Sequence, residues 1–179
     1  MRNFEIFGVE SLMGATMPND RSTKKNSFQF LLRIPVPWVF ILTYLAGAAI
    51  DYATGPHFFI KRVPRLGIAG AAVFAVGAAI AGWGWLTFRK ARTTTVPGEI
   101  SSRFVTWGPY RFTRNPMYVG LVVAYVGEAM ILRQIWPLLL LPLVLAYVNW
   151  VVIPVEEGKL TEVFGDEYLG YQAGTRRWL

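Results

Sequence analysis

The stretch LGIAGAAVFAVGAAIAGWGWLTF, residues 66–88, carries no charge and is followed at once by Arg89-Lys90-Ala91-Arg92. An α-helix needs about 20 mostly apolar residues to cross a bilayer. One such run is compatible with a core helix of a soluble protein. Three more accompany it here: 34–50, which opens on Pro35 and Pro37; 117–132, which contains Glu128; and 135–155, with Pro137, Pro142 and Pro154. Four such runs in 179 residues predict an all-α polytopic membrane protein with four transmembrane helices, a three-span or re-entrant arrangement being the alternative.

Composition agrees with this reading. Apolar residues make up 54% and charged residues 16%, against about 25% charged in a soluble domain. There is no cysteine, which excludes a disulfide framework, a thiolate metal site and a cysteine nucleophile. His57 is the single histidine, so no metal site built on two imidazoles is possible, and no metal is expected. The net charge of +7 in so apolar a chain points to basic loops facing anionic lipid, not to nucleic acid.

The connections set the orientation. Arg133-Gln134 is almost all that separates the third run from the fourth, which predicts a tight antiparallel hairpin. With four spans, the N-terminal stretch, the loop over 89–116 and the C-terminal tail share one side. That side holds fourteen of the 18 basic residues, against Lys61, Arg62, Arg65 and Arg133 on the other. Lys/Arg asymmetry then places both termini and the long loop in the cytoplasm. The polar segment 1–33 lacks the charged start and apolar run of a signal peptide. It is expected to lie in the cytosol or on the membrane surface, ahead of one membrane-embedded domain at 34–179. A bacterial inner membrane is the expected location.

The tail over 156–179 changes character. Leu160, Phe164, Tyr168 and Tyr171 trace one helical face, and Lys159, Glu162, Asp166 and Glu167 the other. This predicts one amphipathic cytosolic helix, with Arg176-Arg177-Trp178 as an interfacial anchor.

Three features bear on chemistry. The run Gly108-Pro109-Tyr110-Arg111-Phe112-Thr113-Arg114-Asn115-Pro116-Met117-Tyr118 stands where the basic loop enters the third span. Gly-Pro marks a turn, and Pro116 suits the first turn of a helix, where its missing N–H costs nothing. Tyr110, Arg114, Asn115 and Tyr118 thus gather around a helix N-terminus. Two readings are open: an anion-binding site, or ordinary anchoring of Arg and Tyr at the interface. Glu156-Glu157 follows the fourth span; it suits either a bound cation or the first turn of the tail helix. Glu128 lies about 15–18 Å along the third span, either as a substrate contact or paired with Arg133. Asn149 in the fourth span is a substrate contact or glue between helices. Gly67, Gly70, Gly77, Gly82 and Gly84 fit close helix packing better than phosphate binding.

Taken together, residues 93–179 resemble the isoprenylcysteine carboxyl methyltransferase and phospholipid methyltransferase superfamily. The resemblance rests on Val105-Thr106-Trp107-Gly108-Pro109-Tyr110, on Arg114-Asn115-Pro116-Met117-Tyr118-Val119-Gly120, and on the helical hairpin. It ends with Glu156-Glu157, Leu160, Phe164-Gly165, Tyr168, Tyr171 and Arg177-Trp178-Leu179. It implies methyl transfer from S-adenosyl-L-methionine to a lipophilic or membrane-soluble acceptor: an isoprenylcysteine-type carboxylate, a phospholipid amine or a small thiol. By motif position, Phe104, Val105 and Tyr110 would line the cofactor pocket. Asn115, Pro116, Met117 and Tyr118 would hold its adenosine or amino-acid portion. Glu156 would bind it with Glu157 in support, Arg114 would organise the pocket, and Thr95 is a looser match. Arg114 and Glu156 are the residues expected to carry catalysis.

The chemistry is consistent with that implication. Carboxylates suit the cofactor's sulfonium and ammonium groups, and a helix start with Arg114 suits its carboxylate. In-line displacement needs mainly positioning. Two departures matter. Position 115 is Asn where many carboxyl methyltransferases of the group have His. Val152 stands where the prenylcysteine enzymes carry an Arg, which weakens the prenylcysteine carboxylate as acceptor. The alternatives are an NADPH-dependent sterol-reductase-like enzyme and a non-catalytic four-span protein.

Overall fold

The computed structural model describes residues 35–55, 65–91 and 104–179. The polar segment 1–33, Lys61, Arg62 and Thr95 lie outside the described residues. Helices α1 (Val36–Thr54) and α2 (Leu66–Ala91) come first. A 3-10 turn (Gly108–Arg111) leads into α3 (Pro116–Leu132). Then come α4 (Trp136–Tyr147), a π-helical turn (Val148–Val152), α5 (Ile153–Phe164) and α6 (Asp166–Gly174). No strand occurs among the described residues.

Among the described residues, three helices are long and apolar enough to cross a membrane: Val36–Thr54, Leu66–Ala91 and the unbroken Trp136–Phe164. Helix α3 is equally apolar but has 17 residues, about 25 Å at 1.5 Å per residue. Exposed side chains on the long helices are large and apolar: Trp38, Leu42 and Leu45 on α1, Ile68 and Phe74 on α2, Leu139 and Leu143 on α4. Such a surface is untenable in water and suits lipid.

Helices α2 and α3 pack backbone to backbone. Gly70, Gly77 and Gly84 recur every seven residues on α2, and Gly120 and Gly127 do so on α3. A Cβ at Gly70 would lie 2.7 Å from the Ile131 nitrogen; one at Gly77 would overlap Ala124, and one at Gly127 would overlap Phe74. Small residues permit this approach, and dispersion across it holds the pair. Gly67 and Gly82 face open space, so only part of the glycine set expected to pack does so. Helix α1 packs on α4, with Gly47 against Pro137. The core between them holds Phe40, Tyr44, Tyr125, Leu141, Val144 and Val148. Tyr125 meets Tyr44 edge-on, ring centroids 5.0 Å apart, and donates its hydroxyl to the Pro137 carbonyl at 3.0 Å.

The hairpin forms where Arg133-Gln134 predicts it. Arg133 takes a left-handed conformation, φ 57°, and the Gln134 N–H closes on the Ala129 carbonyl at 3.0 Å, a helix stop of the αL kind. Beyond the hairpin the structure departs from the single tail helix. The helix begun at Trp136 runs on to Phe164, ends at Gly165 with φ 51°, and α6 starts afresh. Pro154 breaks the regular ladder at the π-helical turn just before it: proline cannot donate to the carbonyl four residues back and clashes with it. Widening the turn relieves both problems.

Candidate active site

Asn115 is the N-cap of α3 and Pro116 its first residue. The first turn of the long helix beyond the π-helical turn carries Glu156 and, next to it, Glu157. Tyr118, buried, donates its hydroxyl to Glu156 Oε1 at 2.7 Å. Glu156 is only partly buried, and its other oxygen has no hydrogen-bond partner among the described residues. The 3-10 turn brings in Tyr110, whose hydroxyl is buried without a hydrogen-bond partner among the described residues. Burial, with Tyr171 and Glu156 nearby, pushes the Tyr110 hydroxyl far above the ordinary tyrosine range. It therefore stays protonated, a donor with nothing to donate to.

Glu157 points the other way. Arg177 Nη2 donates to its Oε2 at 2.6 Å. Arg114 Nη2 lies 3.0 Å from its Oε1 but too poorly aligned for a hydrogen bond, so that contact is Coulombic. Arg114 is further held by donating Nη1 to the Gln172 carbonyl at 3.1 Å and its backbone N–H to Arg176 at 2.9 Å. A buried carboxylate needs such partners, because losing water without them costs several kcal/mol, roughly.

Residues 175–179 run back against the motif loop. The Arg177 carbonyl accepts from Asn115 Nδ2 at 2.9 Å and from Thr113 Oγ1 at 3.1 Å. Helix α6 closes the same wall: Tyr171 donates to the Tyr110 carbonyl at 2.6 Å. Phe104 stacks on Phe164 with centroids 5.3 Å apart and meets Tyr168 and Tyr171 edge-on.

The candidate residues therefore separate. Tyr110, Tyr118 and Glu156 converge. Arg114, Asn115 and Glu157 form a supporting lattice beside them. Val105 packs with Ala91, Tyr110 and Phe88 behind the site, and Phe104 belongs to the aromatic cluster on α5 and α6. Pro116 is buried, and Met117 reaches toward Gly84 of α2. Glu128 stands ten residues along α3 from Tyr118, about 15 Å away, outside the group around Glu156. Asn149 Oδ1 accepts from Trp178 Nε1 at 3.0 Å.

Sequence reasoning did not anticipate Arg177 as the partner of Glu157, nor Thr113 and Tyr171 as braces. One signal was available. A carboxylate pair at a helix packed on a motif rich in arginine calls for charge partners, and Arg177, expected at a lipid anchor, supplies one.

A bundle of apolar helices with a carboxylate, two tyrosines and an ion-paired arginine lattice gathered together defines an integral-membrane protein with a polar side-chain cluster. The chain belongs to the phospholipid methyltransferase family, whose family model matches residues 66–167. It is a membrane protein of a methyltransferase family. No curated protein and no solved structure matches it.

Proposed function

We propose that the chain transfers a methyl group from S-adenosyl-L-methionine to a lipophilic or membrane-soluble acceptor, and that Tyr110, Tyr118 and Glu156 hold the donor. The observation that carries this reading is the orphaned Tyr110 hydroxyl beside the Tyr118–Glu156 hydrogen bond. A buried donor without a partner is costly, about 1–3 kcal/mol, and points to a ligand that supplies the acceptor. The half-committed Glu156 carboxylate suits a cation in the same ligand. S-adenosylmethionine carries both: acceptor oxygens for Tyr110, and an ammonium and sulfonium for Glu156.

When bound, the cofactor supplies an electrophilic methyl group on a sulfonium. The protein's work is then placement. Tyr118 fixes the rotamer of Glu156. Glu156 offsets positive charge in a site with little water. Arg114 is paired to Glu157, so it organises the motif loop without donating to the acceptor. Asn115, Pro116 and Met117 set the start of α3, and Phe104 and Val105 back the wall. A carboxylate or thiolate acceptor arrives ionised, whereas an amine must first release a proton. The apolar Val152 favours an amine or thiol over a prenylcysteine carboxylate. Glu128 is too far along α3 to join this site, and we assign it to the opposite end of the acceptor's path through the bilayer.

The topology that supports this reading has four spans, with the short α3 as the third. The basic asymmetry puts both termini and the α2–α3 loop in the cytoplasm of an inner-membrane protein. Residues 34–179 form one domain, with 93–179 as its cofactor half.

The test is isothermal titration of detergent-purified protein with S-adenosylhomocysteine, beside Glu156→Ala and Tyr118→Phe. Saturable binding, lost in Glu156→Ala and weakened about tenfold in Tyr118→Phe, is expected; a hydrogen bond to a charged group contributes about 1.5–3 kcal/mol. A folded wild-type protein that takes up no S-adenosylhomocysteine overturns the proposal.

A further inference from the structure

The π-helical turn at Val148–Val152 lies four residues before Glu156. One added residue in a helical turn rotates everything beyond it by about 100°. Glu156 and Glu157 diverge by the angle between any two adjacent helical residues, but that rotation sets which of them faces Tyr118 and which faces Arg114 and Arg177. Pro154 accounts for a defect at this place, but it is equally compatible with a kinked α-helix. Something else must select the π-helical form.

The selecting contacts come from residues beyond α6. Trp178 Nε1 donates to Asn149 Oδ1, inside the turn, at 3.0 Å. Arg177 Nη1 reaches the Asn149 carbonyl at 3.5 Å while its Nη2 holds Glu157. The Trp178 ring packs on the core cluster that contains Val148 and Val152. The same two residues thus grip the turn and one of the two carboxylates it aims.

We propose that Trp178 and Arg177 are positioning residues that latch the π-helical turn through Asn149, and so aim Glu156 at Tyr118. The value of that aim for ligand binding rests on the function proposed above; the latch itself does not.

The chain has no cysteine, so single cysteines report on the turn without interference. In detergent micelles, Val152→Cys and Ile153→Cys, at positions 4% and 0% exposed, should react slowly with N-ethylmaleimide. Ala173→Cys, at an exposed position of α6 outside the spans, should react fast. Adding Trp178→Phe, which keeps the ring and deletes the donor, or Asn149→Leu should raise labelling of the two protected positions at least tenfold. Asn149→Asp keeps an acceptor for the indole and should preserve protection. Size-exclusion profiles and circular dichroism confirm that each variant is folded.

Unchanged protection in both Trp178→Phe and Asn149→Leu overturns the latch. A parallel titration with S-adenosylhomocysteine should weaken about fivefold in Trp178→Phe, the loss of one hydrogen bond, and recover in Asn149→Asp. Labelling that follows the latch in a chain that never binds S-adenosylhomocysteine supports the latch and refutes the cofactor reading. Intact binding with unchanged labelling does the reverse.

Discussion

The Tyr171 hydroxyl donates to the backbone carbonyl of Tyr110 at 2.6 Å. This ties α6 to the 3-10 turn and fixes where the Tyr110 ring stands, edge-on to Phe88 with centroids 4.9 Å apart. The turn is thus held by its backbone and its ring, and the Tyr110 hydroxyl contributes nothing to holding it.

Tyr110→Phe should therefore separate stability from binding. Deleting an orphaned buried hydroxyl removes a desolvation cost, so the ligand-free protein should melt at the same temperature or slightly higher. Affinity for S-adenosylhomocysteine should fall about fivefold to tenfold. Thermal unfolding and calorimetric titration of the same preparation check both signs; a variant that melts lower yet binds normally contradicts the assignment.

Glu157→Gln should behave in the opposite way. It leaves Arg114 and Arg177 near each other without the charge that pairs both. Breaking a buried ion pair from one side costs about 3–5 kcal/mol. Glu162→Gln, at an exposed position of α5, should stay within about 0.5 kcal/mol of wild type. Unfolding followed by tryptophan fluorescence in micelles compares the two.

The glycine seam gives a paired prediction. Gly127→Ala drives a methyl group into the backbone at Phe74 and should cost about 1–3 kcal/mol or more. Gly82→Ala faces open space and should be neutral or better, because alanine favours the helix. Equal melting temperatures for the two variants would remove the seam as the element joining α2 to α3.

Alkaline pH should loosen the α6 wall. Burial pushes the Tyr171 hydroxyl up to about 12, with Arg114 pulling it back. Its ordinary value is about 10. The folded state thus holds the proton more tightly than the unfolded state. The stabilisation is complete below about pH 10 and is lost as pH rises toward 12. Melting temperature measured from pH 9 to 12 should fall, and fall less steeply in Tyr171→Phe.

Much of this was legible in the chain, for identifiable reasons. Pro116 after Asn115 marks the start of α3, and Arg133-Gln134 between two apolar runs marks a tight hairpin. These signals are local, and local sterics decide them. The glycines announced close packing, but only the period of seven shared by Gly70, Gly77 and Gly84 picks out those that face α3. The split between Glu156 and Glu157 was not legible. Two adjacent residues on an α-helix differ by a fixed angle, but the absolute direction depends on a π-helical turn that no periodicity in 148–152 announces. The break at Gly165 was hidden in the same way: Leu160, Phe164, Tyr168 and Tyr171 keep helical spacing across it. Contacts from Arg177 and Trp178, distant in sequence, bear on the first feature, and the left-handed Gly165 ends the helix at the second.

The glycine seam also bears on traffic. Where two backbones touch along their length, no acyl chain fits between them, so α2 and α3 act as one sealed plank. On the function proposed above, an acceptor bound for Tyr118 and Glu156 is turned away from that side and left the opposite edge of α3, where side chains and not backbones meet the Trp136–Phe164 helix.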